Sequence, residues 1–232
     1  MPIVIANPIA PLASTLLIHS NTTNGSTTFV DSSLNGLSVT ALAGAQHTTA
    51  DSKFGTSSME FSNGTTDQLR VAETANELWL AANDFTVDFW VKPDSVPTGL
   101  QRCVHQGVSG TTNTTSAIEV DLNNAGYIDV ACRTASSTFG NISSLGVGAV
   151  TSTNWHHIAY VRNSNSFYLF LDGILMGTTF SGASQVNAAG NMIIGSRVNN
   201  LGLVGKIDEF RIVNGTGVWT SNFTPPTAPY TS

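Results

Sequence analysis

Phe85-Thr86-Val87-Asp88-Phe89-Trp90-Val91-Lys92-Pro93 is the stretch whose reading decides the fold. Phe85, Val87, Phe89 and Val91 alternate with Thr86, Asp88, Trp90 and Lys92. Successive side chains of a strand point to opposite faces, so four large apolar groups fall on one face of a sheet. The run Trp155 to Arg162 also alternates, but with large side chains on both faces, which suits a central strand covered on both sides. Working outward, further strands are expected over Leu16–His19, Leu37–Leu42, Ser58–Phe61, Leu100–Gln106, Ser116–Leu122, Tyr127–Arg133, Phe167–Leu171, Met192–Ile194 and Lys206–Val213. Between them stand Asn24-Gly25, Asn35-Gly36, Asn63-Gly64, Asp172-Gly173 and Asn214-Gly215. Such dipeptides supply the positive φ that tight hairpins require. Asp172-Gly173, flanked by Phe167–Leu171 and Ile174-Leu175-Met176, is the clearest hairpin. No window holds a helical stripe, and only one short turn is expected, over Glu73–Ala81. Many short strands with regular turn signals predict an all-β, two-sheet antiparallel sandwich. Pro2, Pro8 and Pro11 make residues 1–13 an extended N-terminal arm ahead of one domain over residues 14–232.

Composition narrows the function classes. Hydrophobic residues make up 41% of the 232, so the chain folds, yet only 10% are charged against about a quarter in ordinary domains. Ser, Thr, Asn and Gly fill the surface instead, as is common in secreted or particle-bound β proteins. The net charge is −6 and the nine Lys and Arg are scattered singly. Nucleic-acid binding needs clustered cations to replace phosphate counterions, so that class is excluded. The first residues are apolar but lack a basic start and are broken by proline, so no signal peptide is expected. Nor is membrane insertion, which needs about 20 apolar residues in a row. Cys103 and Cys132 both lie in apolar, strand-like runs; they read as two buried thiols, with a single bridge as the alternative.

Several strings resemble the laminin-G-like, concanavalin-A-like jelly rolls. The stretch Phe85 to Pro93 is similar to one family strand, and Asn154-Trp155-His156-His157-Ile158-Ala159-Tyr160-Val161-Arg162 to another. Phe170-Leu171-Asp172-Gly173 resembles the family hairpin, Ile194-Gly195-Ser196 a later strand, and Gly205-Lys206-Ile207-Asp208-Glu209-Phe210-Arg211-Ile212 the closing strand. They stand in the family's order from Leu16 to Pro229. The end, Trp219-Thr220-Ser221-Asn222-Phe223-Thr224-Pro225-Pro226-Thr227-Ala228-Pro229, resembles the tail of such domains in phage and marine-virus structural proteins. The resemblance implies a jelly roll of two sheets. It does not fix a function, because this fold carries lectins, glycosidases, adhesion modules and virion proteins alike.

Three functions follow as expectations. The first is a non-enzymatic virion surface protein, a capsid decoration protein of a phage-type particle. It would be made in the host cytoplasm and dock on capsid or tail proteins through the arm, as a homo-oligomer, expected as a trimer. The second is a carbohydrate- or receptor-binding module of a tail or adhesin that takes cell-surface glycans. Its expected ligand-binding residues are Trp79, Trp90, Trp219 and Tyr230, the aromatics least explained by core alternation. Each also reads as an ordinary packing residue. The third and weakest is a laminarinase-like glycosidase, suggested by Glu119-Val120-Asp121-Leu122-Asn123. Glu119 and Asp121 would lie about 6–7 Å apart along a strand, and a retaining glycosidase wants about 5–5.5 Å. Asn123 or Asn124 stands at the acid's place, and an amide cannot deliver a proton, so no catalytic residue is assigned. His156 and His157 adjoin and must face oppositely, so they cannot share a metal. No cofactor is required, but the resemblance implies a structural calcium at Asp208, helped by Asp31 or Asp172. The alternative is an Asp208 bonded to backbone or paired with Arg211 or Lys206. Calcium needs six to eight oxygens, roughly, which Asn-, Asp- and Gly-rich loops can supply.

Overall fold

The computed structural model describes residues 13–72, 77–80, 83–107, 116–133, 138–180, 190–197 and 201–231. The arm expected over residues 1–13 lies outside them apart from Ala13, as does most of the turn expected over Glu73–Ala81. Two antiparallel sheets face each other. One runs β13 (Ile174–Phe180), β12 (Ser166–Leu171), β11 (His156–Asn163), β6 (Phe85–Pro93), β15 (Gly205–Asn214), β4 (Ser58–Phe61), β3 (Gln46–Thr48), with β1 (Leu16–Ile18) beside the C-terminal half of β15. The other runs β10 (Thr138–Ser143), β9 (Ile128–Arg133), β8 (Ser116–Leu122), β7 (Gln101–Gly107), β14 (Met192–Ile194), β5 (Gln68–Val71), β2 (Val39–Leu42).

The alternation of β6 decides which side is inside. Phe85, Val87, Phe89 and Val91 enter the core with Ile158 and Tyr160 of β11, facing Ile118, Val120 and Leu122 of β8. Each fully buried side chain of this kind contributes about 1.5–3 kcal/mol. Cys103 and Cys132 are both buried and unbridged. Burial pushes the Cys132 thiol up to about 12, so it serves as a small apolar filler and accepts a hydrogen bond from the Tyr160 hydroxyl.

The other face of β6 is covered too. Residues 215–231 form no strand and cross the outer face of the eight-stranded sheet. Trp219 and Phe223 stack with centroids 4.0 Å apart and close over Ala159, Val161 and Phe170. Thr86 ties down the start of this tail: the Val218 N–H donates to its hydroxyl at 2.9 Å, and the hydroxyl donates to the Thr216 carbonyl. The Asp172-Gly173 turn joins Leu171 to Ile174 as expected, with φ of 49° and 77°. Its glycine has a second duty. The Phe223 N–H donates to the Gly173 carbonyl at 2.9 Å, and a Cβ on Gly173 would stand 2.0 Å from the Phe223 oxygen.

Candidate functional site

The outer face of the seven-stranded sheet holds a cross-strand polar band. Ile118, Val120 and Leu122 of β8 and Ile128, Val130 and Cys132 of β9 point inward, so Glu119, Asp121 and Asp129 point outward. Register aligns Arg102, Asp121, Asp129 and Ser143 across four strands, and His105 beside Glu119 in the next row. An irregularity between Arg102 and Val104 lets Arg102 and His105 share this face. The Arg102 guanidinium lies 2.5 Å from Glu119 and 3.4 Å from Asp121. Burial holds His105 below its ordinary value of 6.5 against the raising pull of Glu119, so at neutral pH it is an uncharged wall.

This band runs out into an open cleft of about 280 Å³ lined by Asn123, Asn124, Tyr127, Asp129, Ser143 and Leu145. The loop that carries Tyr127 is tightly made. The Asn123 N–H donates to the Tyr127 carbonyl at 2.6 Å, and the Val150 N–H donates to the Gly126 carbonyl. A Cβ on Gly126 would lie 2.1 Å from the Val150 oxygen, so only glycine allows this closure. The Asn123 amide donates to Asp129 Oδ2 at 2.7 Å, which fixes both side chains. The Tyr127 hydroxyl, the Asn124 side-chain amide and Asp129 Oδ1 have no partner among the described residues. One aromatic ring, an amide and a carboxylate around a cleft form a set suited to hydroxyl-rich ligands.

The four aromatics expected to bind ligand are not brought together. Trp79 is the exposed one, at 49%, held between the buried Leu78 and Leu80. Trp90 is only 5% exposed. Its ring lies edge-on to His157 and beneath the Lys53 ammonium, leaving no open face for a sugar. Trp219 is half-buried in its stack with Phe223, and the half-buried Tyr230 lies under the Arg211 guanidinium with its hydroxyl on Asp88. These two hold the tail down. Alternation along β6 and β11 could not show that a tail would cover their outer faces. The signal for Tyr127 was weaker still: a tyrosine after Asn123-Asn124-Ala125-Gly126, read only as a strand start.

The three aspartates of the expected calcium set each already accept N–H donors. Asp31 accepts from the Leu17, Ser33 and Leu37 N–H groups. Asp208 accepts from the Lys53, Phe54 and Glu209 N–H groups. Asp172 accepts from the His157 N–H and pairs with His156. Oxygens already facing N–H donors do not suit a cation, and among the described residues no three His, Cys, Asp or Glu side chains converge on a metal. Asp208 is the backbone-bonded aspartate of the alternative reading.

The glycosidase triplet is occupied differently as well. Glu119 and Asp121 share Arg102, and Asn123 is bonded to Asp129. A serine–histidine contact that no spacing announced links Ser20 Oγ to His47 Nδ1 at 2.5 Å. The other ring nitrogen faces the Thr28 carbonyl, not a carboxylate, and Ser20 is buried. The pair braces a loop and is no reachable nucleophile.

The sequence pattern of the concanavalin A-like lectin/glucanases superfamily matches residues 63–217. No curated protein sequence matches the chain. Among solved structures, domain 4 of a GH43 extracellular arabinanase from Geobacillus stearothermophilus, in complex with arabinotriose, is similar over 90% of this chain and 95% of its own. The TM-score is 0.65 at 17% identity. The binding domain of botulinum neurotoxin serotype D has a TM-score of 0.66 at 16% identity, and the type G receptor-binding domain 0.64 at 12%. Each is covered over 48% of its length by 89% of this chain, which thus spans about half of these domains. At such identities the likeness is one of fold. With the family pattern running through well over half of its residues and the two-sheet sandwich to match, the chain belongs to the concanavalin A-like lectin/glucanases superfamily.

Proposed function

We propose that the chain is a non-enzymatic glycan-binding module whose sugar site is the Tyr127 cleft. The observation that carries this is the set in that cleft without partners among the described residues: the Tyr127 hydroxyl and the Asn124 amide on a loop braced against Val150, with Asp129 Oδ1 beside them on β9. A ring gives a sugar's C–H face something to lie on, and an amide and a carboxylate read its hydroxyls. The arabinotriose complex of the similar arabinanase domain supports the same class of ligand. The test is retention on immobilised neutral polysaccharides, arabinan first. Tyr127→Ala should cut affinity at least about tenfold, the worth of one good contact, while the fold is kept. Equal retention of Tyr127→Ala and the unchanged chain would remove this site.

We place this module on a virion surface, as a capsid decoration protein. Two sequence features support the setting: the tail string Trp219 to Pro229, and a surface rich in Ser, Thr and Asn with only 10% charged residues. Counting copies per purified particle by quantitative peptide mass spectrometry tests it. Copies by the hundred fit a shell component, a handful fit a tail module, and none would end the virion reading.

A further inference from the structure

We infer that the cleft at the β1–β3 rim is a second saccharide site, for a neutral, hydroxyl-rich sugar unit. It rests on the glycan-binding reading above for its class of ligand, and on different residues for its existence.

The cleft is larger than the first, about 390 Å³, and is lined by His19, Asn21, Thr22, Thr28, Val30, Ser32 and His47. That is within the roughly 300–1,000 Å³ typical of small-ligand sites. Its wall is stiff. His47 is bonded at both ring nitrogens, to Ser20 and to the Thr28 carbonyl, and its face stacks on Phe29 at 3.9 Å. Ser57 completes the brace by donating to the Ser20 carbonyl at 2.7 Å and accepting from the Thr22 N–H.

Against this wall stand polar groups with no partner among the described residues: His19 Nε2, the Asn21 amide nitrogen, and the hydroxyls of Thr22, Thr28 and Ser32. Val30 adds an apolar surface, 62% exposed, for a sugar's C–H face. Donors and acceptors from amide, hydroxyl and imidazole around one apolar side chain suit a polyol. The only ionisable pair at the cleft cancels itself. His19 Nδ1 meets Glu209 Oε1 at 2.7 Å, so an anionic sugar finds no net positive charge there.

Glu209 shows that this arrangement is maintained at a cost. It sits in a bulge of β15, between the Asp208↔Trp90 and Arg211↔Asp88 pairs, with φ of 52°. A buried, non-glycine residue in the left-handed region is strained, and bulges re-aim side chains beside sites. Here the bulge sends the carboxylate to His19, opposite the end of β1, while its other oxygen accepts the Tyr230 N–H at 2.8 Å. Holding Nδ1 in this way fixes the ring and leaves Nε2 for a ligand.

Amide NMR of the full chain with a panel of neutral trisaccharides (arabinotriose, laminaritriose and cellotriose) tests the site. At least one sugar should shift the Thr22, Thr28, Val30 and Ser32 amides. Those shifts should survive Tyr127→Ala and vanish in Val30→Arg, which fills the cleft from an exposed position. His19→Gln should weaken this binding about tenfold, the loss of one good hydrogen bond to the sugar. Shifts at Tyr127 and Asp129 with none at the rim would overturn the second site and spare the first. Rim shifts that disappear in Tyr127→Ala would mean one site only. Rim shifts without any at Tyr127 would keep this inference and remove the other, and silence at both clefts would remove both.

Discussion

The two outer faces of the sandwich each carry an arginine shared with carboxylates, and they end differently. On the eight-stranded sheet Arg211 donates to Asp88 at 2.9 Å, His157 stands 3.3 Å from the same carboxylate, and the Tyr230 hydroxyl completes it. The tail then closes over the group, and Asp88 is fully buried. On the seven-stranded sheet Arg102, Glu119, Asp121 and His105 are equally buried, but the band continues through Asp129 to an open cleft. Taking an ion out of water costs several kcal/mol, recovered only with good partners. A face whose central carboxylate is satisfied by its own chain is therefore scaffold. Where the partners run out, at Tyr127 and Asp129, a ligand has something to satisfy.

The sharpest way to break this contrast is Asp88→Ala. It leaves Arg211 buried without its partner, and such a loss costs about 3–5 kcal/mol. Urea unfolding should show that fall, and a loss below about 1 kcal/mol, the range of exposed pairs, would mean that the tail does not seal the face. Burial alone would push the Asp88 carboxyl up, but Arg211 and His157 outweigh it and hold it below its ordinary 3.8. Its contribution is therefore present above 3.8 and is lost as the pH falls below that value.

Phe223→Ala tests the cover itself. The ring is half-buried, so about 2 kcal/mol is expected, roughly half the cost of a fully buried phenylalanine. Amide exchange should quicken at Leu175, which donates to Asn222, and at Val218. Unchanged protection at both would show that Trp219 alone holds the tail.

Much of the scaffold was legible and little of the site. Ser58–Phe61, Ser116–Leu122 and Met192–Ile194 are strands with the expected bounds, because alternation and flanking turns mark them locally. β3, β5 and β10 lie outside the strands that alternation predicts. Gln46-His47-Thr48, Gln68-Leu69-Arg70-Val71 and the Gly140-Asn141 pair inside β10 have weak strand preference, and their neighbours in the sheets carry them. The tail's string suggested a family, but nothing local said that it lies on β6 and β11 and makes Trp219 and Tyr230 packing residues. The Tyr127 cleft depends on register across β8, β9 and β10, and the His19–Glu209 pair joins residues 190 positions apart. Such pairings belong to topology, and a single sequence does not state them.

The smallest effect sharpens the contrast most, because it asks which histidine sits on which kind of surface. The Glu209 hydrogen bond raises His19 above 6.5, with burial opposing and the charges of Glu209 and Asp208 assisting. A raised histidine contributes its full stability below 6.5 and loses it as the pH rises through its folded value. His105 and His47 run the other way: burial lowers both, so their contributions are whole above 6.5 and are lost on acidification. Imidazole NMR should therefore place the His19 curve above 6.5 and those of His47 and His105 below it. The stability gap between the unchanged chain and His19→Gln should stay under about 1 kcal/mol, as for a partly exposed pair, and should shrink as the pH rises above 6.5. If His19 titrates at or below 6.5, Glu209 does not hold it. The bulge of β15 would then serve only the Tyr230 N–H, and the rim would be one more part of the covered face.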